Sequence, residues 1–244
     1  MYLMNIGVAI PCYSGHVSHL YRLLDSIDEQ TVLPHKVVVC SSSTNHIQLT
    51  KTYKFPIYLV ITPDKKTAAE NRNIAIQNLT DMDCVTFFDA DDIMHPQRIE
   101  ILLNTFSMYN CDIILHNYSN ISEKNNVHIF EPIHHVHART GTLVKSWTGS
   151  ITHIKGYNEA IDKIHHSQVT VKQWVLKMVR FPEEPAFYCK EDCEFCFRVF
   201  SYLMCNTHTF KTNYPTIFHL KLTASVHNTG LSSKRIVTGY LIKQ

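Results

Sequence analysis

The chain has 244 residues and a formal net charge of +2, and its length suffices for one domain with a substantial core. Its hydrophobic share of 45% and charged share of 18% exclude disordered and collagen-like proteins. The small charge and the absence of a Lys/Arg run argue against a nucleic-acid partner.

The N-terminal residues are apolar but lack the basic leader and the small-residue cleavage site of a signal peptide. They are also far fewer than the ~20 residues that cross a bilayer. We therefore interpret residues 5–10 as a first strand and expect a soluble, cytoplasmic protein with no integral membrane segment. The eight cysteines are then expected to be reduced thiols. A zinc site at Cys189, Cys193 and Cys196 is the alternative, although no second Cys-x-x-Cys pair accompanies them.

Short apolar runs, typical of buried parallel strands, alternate with helical patterns through the first half of the chain. The predicted strands are 5–10, 36–40, 57–61, 85–88 and 112–116. Apolar stripes at helical spacing predict helices over residues 17–27 and 99–106. This alternation predicts an α/β fold with a mainly parallel, Rossmann-like sheet and helices on both faces.

The second half of the chain is less regular. Residues 117–156 are polar and rich in histidine, which predicts loops and short strands. The elements predicted after them are a strand at 164–171, a short helix at 174–179, a helix at 192–203 and a strand at 216–220. No linker or internal repeat divides the sequence, so we predict a single domain over residues 1–244.

The most informative segment is an apolar strand that ends in three acids, Cys84-Val-Thr-Phe-Phe-Asp-Ala-Asp-Asp92. Ligands of open α/β sheets bind beyond the carboxyl ends of the strands, where these acids lie. Alternate residues of an extended backbone point the same way, so Asp89 and Asp91 can face one site. Close carboxylates repel unless a cation neutralises them, and Mg²⁺ or Mn²⁺ prefers oxygen ligands. Alternatively, Asp91 and Asp92 only begin the next helix, which explains Asp92 but not Asp89.

Several other kinds of site lack their motifs in this sequence. No Gly-x-Gly occurs, so the dinucleotide fingerprint is absent, and so is the phosphate-binding loop that ends in Gly-Lys-Ser/Thr. His-Glu-x-x-His and Gly-x-Ser-x-Gly are absent as well. Phosphatases of the haloacid dehalogenase type also place Asp-x-Asp at a strand end. Their motif normally lies near the N-terminus and continues with Thr or Val, where this chain has Asp92.

Five segments in order resemble the large inverting family of GT-A-fold glycosyltransferases. They are Ile6-Gly-Val-Ala-Ile-Pro11, Val37-Val-Val39, Asn71-Arg-Asn-Ile-Ala-Ile76, Phe87-Phe-Asp-Ala-Asp-Asp92 and Lys190-Glu-Asp-Cys-Glu-Phe195. The resemblance implies a GT-A-type fold. In that fold, residues 1–116 would bind a nucleotide sugar, and residues 117–244 would bind the acceptor and supply the catalytic base.

The resemblance implies that the loop containing Pro11 and Tyr13 contacts the nucleotide. Arg72 would hold the base or the phosphates, and Asn73 would brace the loop. The chain departs from the family after its second strand, where Ser41 stands in place of an acid that usually reads the base. We therefore expect altered or weaker discrimination between nucleotide bases.

In the acidic motif, the resemblance implies that Asp89 faces the ribose and the metal and that Asp91 binds the metal directly, with Ala90 lining the donor site. His219 is the preferred third metal ligand and His227 the alternative, although a lone histidine is more often structural. The implied cofactor is Mn²⁺ or Mg²⁺. The implied partners are a nucleotide diphosphate sugar donor and a carbohydrate or glycan acceptor.

The Glu191-Asp192 pair resembles the catalytic-base motif of the family. Inversion requires a base that takes the proton of the acceptor hydroxyl opposite the leaving diphosphate. Asp192 is the preferred base and Glu191 the other candidate, and both are alternatively ordinary acids of a first helical turn. The predicted function is metal-dependent, inverting sugar transfer. The alternatives are the phosphatase type described above and a non-catalytic relative that only binds carbohydrate or nucleotide sugar.

Overall fold

The computed structural model describes residues 4–108, 111–116, 119–121, 136–145, 151–155, 169–188, 190–206, 217–222 and 232–235. The first half contains β1 (Ile6–Tyr13), α1 (Val17–Asp28), β2 (Lys36–Ser42), β3 (Ile57–Ile61), α2 (Ala68–Gln77), β4 (Cys84–Phe87), β5 (Ile93–Met94) and α3 (Arg98–Met108). The second half contains β6 (Ile113–His116), β7 (Ser119–Ile121), β8 (Val136–Lys145), β9 (Ile151–Lys155), β10 (Val169–Lys172), α4 (Gln173–Leu176), α5 (Glu191–Asn206), β11 (Ile217–Leu222) and β12 (Ser232–Arg235).

Nine of the described strands form one sheet in the order β3-β2-β1-β4-β10-β6-β11-β8-β9. The first four strands are mutually parallel. β10 is antiparallel to β4 and β6, and β8 is antiparallel to β11 and β9, so seven of the nine strands share one direction. The prediction of an α/β fold with a mainly parallel sheet is therefore confirmed.

Helices cover both faces of the parallel strands, and alternate strand residues pack against opposite faces. In β2, Val38 belongs to the apolar cluster formed with α2 and α5, whereas Val37 and Val39 belong to the cluster formed with α1 and α3. Because both faces are buried, these strands are continuous apolar runs rather than alternating patterns.

A crevice is expected at the carboxyl end of β1. β2 and β3 extend from one side of this strand, whereas β4 lies on the other side. Such a reversal of strand order opens a crevice beyond the carboxyl ends of the strands. The segments that follow β1, β2 and β4 therefore surround one candidate ligand site.

Helix α2 is the main element of the first half that the sequence analysis missed, because it treated the surroundings of Arg72 and Asn73 as a loop. The polar residues Asn71, Arg72 and Asn73 are buried in this helix, so its apolar stripe is interrupted. A Thr-x-x-Glu capping box does mark its start. The backbone N–H of Glu70 donates to the Thr67 hydroxyl at 3.2 Å, and the N–H of Thr67 donates to the Glu70 carboxylate at 2.7 Å.

The structure differs from the sequence analysis in two further points, the element that follows the acidic segment and the bounds of one strand. Asp91 and Asp92 do not begin a helix, because β5 follows them and α3 begins only at Arg98. The strand predicted at 164–171 is observed as β10 from Val169, and residues 156–168 lie outside the described part of the chain. Of the helices that the structure describes, none combines the length and apolar character needed to cross a membrane.

Candidate active site

The acidic segment turns away from the sheet directly after β4. The Phe88 N–H still donates to the Ala9 carbonyl at 3.0 Å, and the chain then closes a tight turn in which Asp92 N–H donates to the Asp89 carbonyl at 3.2 Å. The side chain of Asp89 is 26% exposed, whereas Asp92 is only 3% exposed. The turn therefore gives Asp89 access to solvent and buries Asp92 in the protein.

Arg98 of α3 lies beneath this turn and is fully buried. Its guanidinium donates to the Thr86 hydroxyl at 2.6 Å and to the Phe87 carbonyl at 3.3 Å, and it lies 4.6 Å from the centre of the Phe88 ring. Burial lowers the pKa of Arg98, and the negative charge of Asp92 opposes that effect. Asp92 thus acts as the counter-charge of a buried cation.

A second arginine holds the turn from the solvent side. Arg22 of α1 donates from Nη2 to the backbone carbonyl of Asp91 at 3.0 Å. This contact leaves the Asp91 carboxylate, which is partly exposed, on a fixed backbone. Neither Arg22 nor Arg98 was singled out from the sequence, since long-range contacts of arginine leave no local pattern.

Arg72 of α2 connects the acidic turn with the start of α5. Its Nη2 lies 3.5 Å from Asp89 Oδ1, and its Nη1 lies 3.2 Å from Glu191 Oε1 and 3.0 Å from Asp192 Oδ1. Its side chain is 3% exposed, and its guanidinium lies 5.2 Å from the centre of the Phe181 ring. Four residues singled out from distant parts of the sequence are therefore in one ion-pair network.

The carboxylates determine the charge state of this network. Burial alone would lower the pKa of Arg72, but the negative charges of Asp192, Asp89 and Glu191 outweigh it and raise that pKa. The guanidinium is therefore always charged. Arg72 is thus a permanent positive charge between Asp89, Glu191 and Asp192.

Aromatic packing fixes α5 against β4. The rings of Phe181 and Phe195 stack at 3.9 Å, and Phe87 contacts them edge-on at 5.0 and 5.7 Å. Phe87 lies two residues before Asp89, and Phe195 lies three residues after Asp192. This packing therefore determines how closely the two carboxylates approach.

The sequence analysis expected Asn73 to brace the loop around it, but Asn73 lies in helix α2 and contacts a distant segment instead. From α2 its amide donates to the Phe181 carbonyl at 2.9 Å and accepts from the Phe181 N–H at 2.9 Å. It also donates to Glu183 Oε1 at 2.7 Å. Asn73 therefore braces the segment that leads into α5.

Pro11 and Tyr13 lie at the carboxyl end of β1, as the resemblance implied. Pro11 is buried and pairs in register with Cys40 of β2. Tyr13 is 47% exposed, and its ring centre lies 4.3 Å from that of His16. An exposed aromatic ring at the crevice provides a surface on which a nucleobase can stack.

Ser41 is 1% exposed, and its hydroxyl is engaged within the protein. It lies 2.8 Å from the Thr44 hydroxyl, which itself donates to the Ser42 carbonyl at 2.8 Å. Since the single hydrogen of Thr44 is used, Ser41 donates in this pair. Asn71 completes the network by donating to the Ser42 hydroxyl at 3.0 Å. The position that resembles a base-reading acid is therefore a neutral, internally bonded group.

A cleft of about 550 Å³ lies beside Glu191, within the range of small-molecule sites. Residues 65–70, Pro182 and Tyr188 form the rest of its lining. One oxygen of Glu191 contacts Arg72, whereas Oε2 is buried without a hydrogen-bond partner. This cleft has the size and position to receive part of a substrate next to the ion-pair network.

Trp174, at the start of the short helix predicted at 174–179, does not line this cleft. It is 43% exposed, so it is not a core residue. β10 runs antiparallel to β4, and Lys172 pairs with Cys84, so Trp174 lies at the opposite edge of the sheet.

A divalent cation fits the donor set at the acidic turn. Mg²⁺ in nucleotide-dependent enzymes commonly takes one or two carboxylates, and phosphates and waters complete its shell. Asp89 and Asp91, on a turn held by two arginines, meet this requirement. Within the described ranges, no three His, Cys, Asp or Glu side chains come close enough to form a metal site by themselves.

The other predicted metal ligands stay predictions. His219 lies in β11, three positions from β4 in the sheet, which separates the two strands by about 14 Å. His227 lies outside the described residues, as does Cys189 of the zinc alternative. Cys193 and Cys196 are buried free thiols in α5, and burial raises the pKa of Cys196 well above its usual value.

The fold is similar to crystal structures of S. aureus TarS. TarS 1-349 in complex with UDP matches with a TM-score of 0.60 and 16% identity over 96% of this chain and 61% of that chain. TarS 1-349 in complex with UDP-GlcNAc matches with a TM-score of 0.60 and 16% identity over 97% of this chain and 60% of that chain. A longer TarS structure is covered over 37% of its length. This chain thus spans less than two thirds of these relatives, and the likeness confirms the GT-A-type fold.

The sequence also matches a family model. The model described as glycosyl transferase family 2 covers residues 7–179, which is more than half of the chain and includes the acidic turn and Arg72. Glu191 and Asp192 follow the matched range. No curated protein matches the sequence. The match leaves no support for the phosphatase alternative, and the chain belongs to glycosyl transferase family 2.

Proposed function

We propose that this protein transfers a sugar from a nucleotide diphosphate sugar to a hydroxyl group of a carbohydrate acceptor, with a divalent metal and with inversion. The observation that carries the proposal is the buried Arg72, which contacts the acidic turn through Asp89 and the candidate base through Asp192. Family membership supports the reaction class. The complexes of TarS with UDP and UDP-GlcNAc support a nucleotide-sugar donor.

On the donor side, Asp89 and Asp91 would hold Mn²⁺ or Mg²⁺. When bound, the metal supplies positive charge that neutralises the leaving diphosphate. Arg22 and Arg98 keep the turn in place through the Asp91 and Phe87 carbonyls, so the carboxylates need little reorganisation to bind. A site ordered before binding loses less conformational entropy on binding.

On the acceptor side, Asp192 is the proposed base. It lies in the first turn of α5, where the helix dipole favours an ionised carboxylate, and the Arg72 guanidinium favours the same state. An ionised carboxylate can accept the proton of an acceptor hydroxyl that approaches within about 2.6–3.2 Å. Since Asp89 and Asp192 contact different nitrogens of one guanidinium, the donor and base functions are close but distinct.

The test is a transfer assay with UDP-GlcNAc and other nucleotide sugars in the presence of Mn²⁺. We expect metal-dependent release of the nucleoside diphosphate that increases when a carbohydrate acceptor is added. The anomeric configuration of the product, read by NMR, reports inversion or retention. If no nucleotide sugar binds with or without metal, the donor site is wrongly assigned.

A further inference from the structure

A second cavity, of about 520 Å³, lies at the amino-terminal end of β4, whereas the candidate active site lies beyond its carboxyl end. Gln173 and Trp174 of α4 line it, together with Asp83, just before β4, and Lys172 at the end of β10. β4 leads from this end to the acidic turn. The five steps from Cys84 to Asp89, at about 3.3 Å each, separate the two sites by roughly 17 Å.

Gln173 is the first sign of a ligand at this cavity. The residue is 4% exposed, and neither its amide oxygen nor its amide nitrogen has a hydrogen-bond partner. Its backbone is fixed by a hydrogen bond from its N–H to the Asp83 carbonyl at 2.8 Å. A buried amide without partners destabilises a fold, and most buried polar groups are satisfied. Because this amide has no hydrogen bond to lose, it can turn toward the cavity that the residue lines, where a hydroxyl-bearing ligand would supply both a donor and an acceptor.

Trp174 is the second sign. Its ring is 43% exposed, yet its orientation is fixed because the indole N–H donates to Asp112 Oδ1 at 3.2 Å. The Tyr202 ring, with its centre 6.1 Å away, supports it further. A fixed, exposed aromatic ring beside a polar cavity provides an apolar surface for a ligand that also carries polar groups.

The charges that line the cavity do not select an ion. The charged residues that line the cavity are two acids and two bases, namely Asp81, Asp83, Lys172 and Lys177. Asp81 pairs with Lys36 at 3.0 Å, and Lys172 pairs with Asp112 at 3.4 Å. The Asp83 carboxylate accepts the Asn5 N–H at 2.7 Å. The lining charges cancel and three of the four have partners, so the cavity suits an uncharged ligand rather than a phosphate or an amine.

We propose that this cavity is a carbohydrate-binding site separate from the candidate active site. A sugar ring combines an apolar C–H face, which would stack on Trp174, with hydroxyls that would pair with the Gln173 amide and the Asp83 carboxylate. The inference does not depend on the proposed function. If that function holds, the cavity would retain a second unit of a long glycan.

The experiment measures binding of glucose, galactose and N-acetylglucosamine to the full chain, by tryptophan fluorescence and by thermal shift. The variants are Gln173→Leu and Trp174→Leu, and the matched control is Tyr58→Leu, which removes an exposed ring of β3 that lines neither this cavity nor the cleft beside Glu191. We expect both cavity variants to weaken binding of at least one sugar by about tenfold or more. Tyr58→Leu should bind like the parent.

Folding is checked in the same samples. Gln173→Leu replaces an unpartnered buried amide with an apolar group of similar size, so its ligand-free melting temperature should equal or exceed that of the parent. If the parent binds none of the three sugars, the proposal is overturned. Equal binding by Gln173→Leu and the parent would also overturn it. If sugar binding at the cavity persists in a protein that transfers no sugar, the proposed function fails while this inference stands.

Discussion

Arg72 Nη1 lies 3.0 Å from Asp192 Oδ1, and the same guanidinium lies 3.5 Å from Asp89 Oδ1. Helix α2 therefore places one buried cation between the acidic turn after β4 and the first turn of α5. A change of charge at either carboxylate is felt at the other through this cation. The proposed donor and base sites are thus electrostatically linked before any substrate binds.

Arg72→Met should destabilise the fold and abolish transfer. Removing one partner from a buried ion-pair network leaves uncompensated charges, at a cost of about 3–5 kcal/mol, and partial exposure of Asp89 places the effect toward the lower end. Urea unfolding measures the change. Arg198→Met is the control, because its contacts with Glu184 and Glu194 involve a side chain that is 35% exposed. Its cost should be below about 1 kcal/mol. Equal costs for the two variants would contradict the buried network.

Asp91→Asn should abolish Mn²⁺-dependent nucleotide binding and leave the melting temperature of the free protein unchanged. Asparagine keeps the shape of the side chain but removes the negative charge that a hard cation requires. Isothermal titration with UDP, with and without Mn²⁺, measures the effect. Asp64→Asn is the control, an exposed acid of the β3–α2 segment. If Asp91→Asn binds nucleotide with unchanged metal dependence, the donor-site assignment is wrong.

The sequence predicted the sheet and the acidic turn because both are local patterns. A continuous apolar run identifies a buried strand, and acids at its end identify the β4 turn. Helix α2 was missed because buried polar residues such as Asn71 interrupt its apolar stripe, although its capping box was readable. The contacts of Arg98 and Arg22 could not be predicted, since they join residues that only the tertiary structure brings together. The resemblance supplied the Glu191-Asp192 pair, and Arg72 gives it a structural context.

Base discrimination should be weak. Ser41 replaces the expected acid, is 1% exposed, and donates its hydrogen to Thr44. The site therefore has no carboxylate at this position to select one base by its N–H group. Uridine and guanosine diphosphates should raise the melting temperature by comparable amounts, since stabilisation by a ligand follows its affinity. A strict preference for uridine would contradict this reading of Ser41.

The capping box of α2 should make stability depend on pH. The Thr67 N–H lowers the pKa of Glu70 below its usual 4.5, so this carboxylate contributes stability above that pH and loses it as the pH falls through the folded-state pKa. Glu70→Ala should therefore cost about 1 kcal/mol at pH 7, a typical value for a helix cap. The difference from the parent should shrink as the pH falls below 4.5 and through the lowered folded-state pKa. Urea unfolding at a series of pH values from 7 downward is the measurement, and a difference that stays constant over the series would rule out the carboxylate.

Asp192→Asn should lower transfer by roughly 10²–10⁴-fold, because asparagine preserves shape and hydrogen bonding but cannot accept the proton of the acceptor hydroxyl. Donor affinity should change far less than transfer does, and by about as much as in Glu191→Gln, since Asp192 reaches the proposed diphosphate ligand Asp89 only through Arg72. Steady-state kinetics and nucleotide titration separate these two effects. The drop should appear in kcat rather than in the KM for the donor.

Glu191→Gln is the matched control for that experiment. Glu191 and Asp192 have side chains that are each 17% exposed, and they contact the same Arg72 nitrogen at 3.2 and 3.0 Å. Loss of either charge therefore perturbs Arg72 to a similar extent, and only loss of the base should remove proton transfer. If Glu191→Gln lowers kcat more than Asp192→Asn does, Glu191 is the base. If both variants keep full activity, neither acid accepts the proton, and the proposed inverting mechanism is wrong.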